Sequence, residues 1–187
     1  RFADASRLIS ESCAIGAGFE RVTSLVATLQ IAMVAATRGV RDLPLAPEVV
    51  PVLDQLDLIP EFDNVGLAFA ILGKAGAGAS DAANAALNAL VAADFAPLHG
   101  DDSSVLCLHR LSEAAILLDN VPAAQSIYDA LHRYRGRCFV GLGATSFMGA
   151  NDLFLGNLAA HVRQWPRARA HFEEAITIHR RLGATPF

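Results

Sequence analysis

The chain is short of charge, of aromatic rings and of cysteine, and it has no long apolar run. Charged residues make up 18 % of its 187 positions, aromatic residues 7 %, and apolar residues 53 %. Low charge with high hydrophobicity excludes a disordered chain. Charged residues interrupt every window long enough to cross a bilayer. The longest apolar stretch, 22–36, is broken only by Thr23, Ser24, Thr28 and Gln30, and it reads as a buried helix too short to span. Cys13, Cys107 and Cys138 form no C-x-x-C pair, so three reduced thiols in a cytoplasmic compartment are expected. Arg1 and Arg7 precede nothing apolar enough for a secretory signal. An Arg at position 1 and a pattern still running at Phe187 point to a fragment of a larger protein.

The chemistry of known catalytic motifs is also missing. Gly73-Lys74 is followed by Ala75, so the hydroxyl that a phosphate-binding loop offers to Mg²⁺ is absent. Gly76-x-Gly78 lacks a third glycine, and Gly141-Leu142-Gly143 is a lone G-x-G after the extended-looking Cys138-Phe139-Val140. Cys107 and His109 point differently on a helix, and His171 and His179 lie about two turns apart. Asp101-Asp102 and Glu173-Glu174 suit a helix cap and an exposed face. No catalytic, cofactor or metal-binding residue is therefore assigned, and the chain is expected to be non-enzymatic.

Charge is uneven. Residues 1–99 hold six Lys and Arg against eleven Asp and Glu; residues 100–187 hold nine against eight, together with His109, His132, His161, His171 and His179. A net charge of −4 gives no chain-wide attraction for nucleic acid. Arg133, Arg135 and Arg137 follow a helix end, and Arg163, Arg167 and Arg169 flank an inter-helix turn. These six are the candidate contacts for a partner or ligand, although cations at a helix end also complement its dipole.

Helical periodicity runs throughout, and Ala, the best helix former, is abundant. Helices are expected over about 4–15, 20–37, 48–56, 63–72, 82–93, 105–118, 123–134, 146–162 and 166–182. Gly and Pro separate them, with Ser80 or Asp81 and Asp102 or Ser103 as caps, Pro122 in a first turn and Gly183 at a C-terminus. A Gly-rich loop over 135–145 is expected.

The strongest signal is an internal repeat. Moving 111–131 forward by 44 residues sets Leu111 on Leu155, Ala115 on Ala159, Val121 on Trp165, Pro122 on Pro166, Ala124 on Ala168, Tyr128 on Phe172 and Leu131 on Ala175. In each copy a helix ends, Pro opens the next, and a small residue precedes an aromatic by four. Ala lets two helices cross closely, and the aromatic one turn later fills the groove between hairpins. A fainter copy over 63–93 places Ala83, Leu87 and Leu90 at Ala124, Tyr128 and Leu131. Such hairpins cannot cover their own apolar faces and must stack, which predicts an all-α solenoid as one domain over 1–187.

The last copy resembles a tetratricopeptide repeat. Leu155-Gly156, Ala159, Ala168, Phe172 and Ala175 stand at that family's spacing; Asp152 sits where the family often has Trp, Arg180 where Pro is usual, and Ser112 replaces Gly one copy earlier. Residues 112–187 also resemble the helical-repeat region of large bacterial signalling ATPases. In that group the attached module is a LuxR-type helix-turn-helix or a class III nucleotide cyclase. The carrying residues include 131–137, 155–158, Ala168, His171-Phe172 and 181–184. The resemblance implies an interaction or sensor arm that meets a protein, a peptide or other domains of its own polypeptide, or, alternatively, holds a small inducer. It implies no direct contact with nucleic acid or membrane. A truncated solenoid exposes apolar end faces, so self-association as a homodimer through Trp165, Phe187 or the first helix is expected as a non-native event.

Overall fold

The computed structural model describes residues 63–76, 78–98, 103–141 and 146–184. The helices expected over 4–15, 20–37 and 48–56 lie outside the described residues, as do Phe187 and Cys13. What is described is mostly helical: α1 (Asp63–Gly76), α2 (Ser80–Ala92), a 3-10 turn (Ala96–Leu98), α3 (Ser104–Leu117), α4 (Val121–His132), strands β1 (Cys138–Gly141) and β2 (Ser146–Ala150), α5 (Asn151–His161) and α6 (Trp165–Arg181). None of these helices is long and apolar enough to cross a membrane.

One backbone device joins α1 to α2, α3 to α4 and α5 to α6. After each first helix a residue turns to positive φ: Gly78 at 80°, Asp119 at 52° and Arg163 at 60°. The following N–H then reaches back five residues, from Ala79 to Lys74 O (2.9 Å), Asn120 to Ala115 O (2.9 Å) and Gln164 to Ala159 O (2.8 Å). This reversal satisfies carbonyls that a helix end leaves open and sends the chain back antiparallel. Asn120 and Gln164 are 44 residues apart, and the first turn precedes the second by 41. Pro122 and Pro166 stand in the opening turns of α4 and α6, where a missing N–H costs nothing. Gly183, at φ 65°, closes α6 in the same way.

Packing passes from neighbour to neighbour. Helix α1 lies on α2 and α3, α3 on α4 and α5, and α5 on α6, with α4 bridging to α5. A continuous core runs from Val65 and Phe69 through Leu87, Leu111 and Leu131 to Leu155 and Ala168. Ala115, Ala124 and Ala159 are fully buried where helices cross, and Ala168 and Ala175 nearly so. Ala83 and Leu87 take the same places in the first hairpin and are also fully buried. Truncating a fully buried leucine such as Leu131 to Ala costs about 2–5 kcal/mol.

The expected loop over 135–145 contains strand β1, and the helix expected from Ser146 starts only at Asn151. Strands β1 and β2 pair antiparallel, with Cys138 opposite Ala150 and Val140 opposite Phe147. The register slips by one residue between Phe139 and Val140, so Met148 is the extra residue of a bulge. Gly149, at φ 88°, makes that bend, and Met148 is buried in the core. Ala150 stays extended, and the Asn151 N–H donates to Arg137 O (2.9 Å). Ser103 holds the N-cap of α3, one of the two positions expected, whereas Ala79 rather than Ser80 or Asp81 holds that of α2; neither makes a side-chain capping bond. The capping side chain is Asn120, whose Oδ1 accepts from Ala123 N–H (3.1 Å). Its amide also donates to Asn84 (2.8 Å) and Asn88 (3.0 Å), tying α2 to the start of α4.

Candidate functional site

Buried and half-buried polar groups gather where the second hairpin meets the third. Asp152 lies in the first turn of α5, where the helix dipole favours a carboxylate, and it is 2 % exposed. One oxygen accepts from the Gly136 N–H in the turn after α4. The other meets His171 Nδ1 on α6 at 2.8 Å. His171 Nε2 lies 2.9 Å from the Tyr128 hydroxyl on α4. A carboxylate only accepts, so the His171 Nδ1–H donates to Asp152, and in that tautomer Nε2 accepts the hydrogen bond that the Tyr128 O–H donates. Three elements are thereby joined through one ring.

His132, exposed on the last turn of α4, completes a triangle of rings. Its centroid lies 5.6 Å from Tyr128 and 6.2 Å from His171, while Tyr128 and His171 are 5.7 Å apart. Burial pushes the Tyr128 phenol above its ordinary value; Arg167 opposes this, Asp129 and Asp152 add to it, and Arg135 opposes it. A phenol raised in this way and already donating to His171 is no nucleophile near neutral pH. The arrangement fixes positions and offers an exposed basic rim.

A second buried group lies beside it. His109 on α3 is completely buried, stacked on Phe154 at 3.7 Å and edge-on to Phe139 of β1 at 5.6 Å. Asn151 donates its amide to Leu131 O (3.1 Å), which leaves Oδ1 to accept from His109 Nε2 (2.8 Å). His109 Nδ1 has no partner among the described residues. Loss of water lowers the His109 pKa to about 3; the Asn151 bond raises it and Arg110 lowers it. Arg110, also buried, pairs with Glu113 at 2.9 Å and lies over Phe69. Burial raises the Glu113 carboxyl against the pull of Arg110. His179 accepts the Ala150 N–H (2.7 Å) and so pins the end of β2 to α6.

All six candidate arginines are exposed. Arg167 and Arg135 each oppose the upward shift of the Tyr128 phenol, and Arg167 also donates to Gln164 (2.8 Å). Arg133 donates to Ala130 O and covers Tyr134, Arg169 pairs with Glu173, and Arg163 occupies the α5–α6 turn. The repeat residues Leu111, Ala115, Ala124, Tyr128, Leu131, Leu155, Gly156, Ala159, Ala168 and Ala175 are buried, and Phe172 is half-buried over Gly156. Sequence reasoning missed the relay because His171 is 43 residues from Tyr128 and 19 from Asp152, a spacing that no motif records. One signal was present: a carboxylate, Asp152, at a repeat position that ordinarily packs a ring. Among the described residues no group of three or more His, Cys, Asp or Glu is placed to hold a metal ion. No family model, no curated protein and no solved structure matches this chain.

Proposed function

We propose that the chain is a non-catalytic arm, an α-solenoid of tetratricopeptide-like hairpins, by which a multidomain bacterial signalling or transcription regulator in the cytoplasm senses or binds a partner. The single observation that carries this reading is the recurrence of one backbone turn, with an N–H reaching back five residues after a positive-φ residue, at Asn120 and again 44 residues later at Gln164. Repeated hairpins packed neighbour to neighbour present extended surfaces suited to binding. The joint supplies a second reading, in which a small polar inducer is held against the rings of Tyr128, His132 and His171 and its presence is passed to an attached ATPase, cyclase or DNA-binding module.

The test uses the full-length polypeptide. The expected reading frame carries a phosphate-binding loop upstream or a helix-turn-helix downstream, and deleting residues 63–184 changes the activity of that module. Turnover of a substrate by the purified chain, or a module indifferent to the deletion, would overturn the reading.

A further inference from the structure

The charge of this chain is segregated more sharply than its halves suggest. Residues 1–129 carry seven Lys and Arg against sixteen Asp and Glu. Residues 130–187 carry eight arginines, no lysine and three carboxylates. Every one of those arginines is exposed, whereas Asp152 is buried in its bonds to His171 and Gly136, and Glu173 is paired with Arg169. The basic character therefore faces outward, outnumbering the two exposed carboxylates, Glu173 and Glu174, while the third, Asp152, is buried.

Two of these arginines stand near a seam between α4 and α6. Side-chain bonds link the two helices there: Gln164, just before α6, donates to Gln125 (3.2 Å), Arg167 donates to Gln164 (2.8 Å), and Tyr128 meets His171. Arg167, His171, His132 and Arg135 border this seam. The preference for Arg over Lys matters, because a guanidinium pairs with a carboxylate through two parallel bonds.

Resting on the reading of the chain as an interaction arm, the geometry points to the α4–α6 seam as the docking face for a carboxylate-rich segment of a partner polypeptide. Spaced carboxylates fit better than a nucleic-acid backbone. Asp129 stands exposed at the seam, and Glu174 lies exposed on α6. A duplex, with one phosphate charge about every 1.7 Å, would have to lie across them. A peptide places its acids only where arginines meet them. The remainder of the chain is acidic and repels any large polyanion while leaving a short segment free to dock.

The experiment is fluorescence anisotropy with the purified chain and a labelled peptide of alternating Glu and Ala, against an oligothymidine of equal length. The peptide is expected to bind at low ionic strength, more tightly than the oligonucleotide, and to weaken as salt is added. Arg135→Glu with Arg167→Glu is expected to weaken it about tenfold, since like charges then face each other. Lys74→Glu, exposed on α1 and outside the seam, should change it little. No peptide binding at low salt, tighter binding of oligothymidine, or equal loss in Lys74→Glu each overturns the proposal. If deleting residues 63–184 still alters the attached module while the peptide ignores the seam, the arm reading stands and only the docking face falls.

Discussion

The His109 ring is enclosed by Phe154 and Phe139, with one nitrogen bonded to Asn151 and the other without a partner among the described residues. Its folded pKa of about 3 lies below the ordinary imidazole value of 6.5. Between these values the unfolded chain binds a proton that the folded chain refuses. Stability is therefore full above pH 6.5 and falls as pH drops towards 3, with a slope approaching about 1.4 kcal/mol per pH unit. Glu113 works in the opposite sense, since its raised carboxyl binds a proton first in the folded state. Denaturant unfolding of the wild type and of His109→Phe at several pH values separates the two. The variant is expected to lose most of the slope between pH 6.5 and 4, and an unchanged slope would contradict the burial of a neutral imidazole. Arg163 offers a second residue-level test. At φ 60° an L side chain costs about 1–2 kcal/mol, while glycine gives back only about 0.5–1 kcal/mol in unfolded-chain entropy. Arg163→Gly should therefore raise the midpoint of chemical denaturation, by roughly 0.5–1 kcal/mol.

Between α5 and α6 the decisive contact is a missing side chain. A Cβ on Gly156 would sit 2.5 Å from Phe172 Cε1 and 2.6 Å from Cδ1. In an ordinary helix Gly→Ala stabilises by about 0.5–1 kcal/mol. Here the ring must move or the helices must part, at about 1–3 kcal/mol, so the overlap wins and Gly156→Ala destabilises. The same change in a Phe172→Leu background should cost less, and a double-mutant cycle reads the difference; additive effects would show that the ring is free to move. This pair also marks what was legible in the sequence. Leu155-Gly156 and Phe172 were visible because a helical crossing constrains residue size at fixed local spacing. Gly183 and Pro122 announced helix ends by the same local rules. The strand Ser146–Ala150 was hidden because its pairing with Cys138–Gly141 is a contact between segments, and the stretch alone reads equally well as a helix start. The Asp152–His171–Tyr128 relay was hidden for the same reason, since each residue lies on a different element.

Across the whole molecule these local contacts decide how the fold comes apart. Packing runs from α1 to α3 to α5, and in the proposed stack of hairpins stability would behave as a sum of units and joints. The core is nonetheless continuous from Val65 to Ala168, which would favour a single cooperative transition. Asp152→Ala distinguishes these cases because it strikes one joint. It leaves the Gly136 N–H and the His171 Nδ1–H without acceptors in a half-buried site, at about 1–3 kcal/mol. If the joints are separable, native-state hydrogen exchange should accelerate in α5, α6 and the β1–β2 pair, while α1 and α2 keep their protection. A uniform loss from α1 to α6 would instead mean one closed core, and the hairpins would then be a repeat in sequence without being a stack in energy. The first outcome is expected, because α1 and α2 meet the third hairpin mainly through the second, and helices bonded within themselves need little from a distant unit to persist.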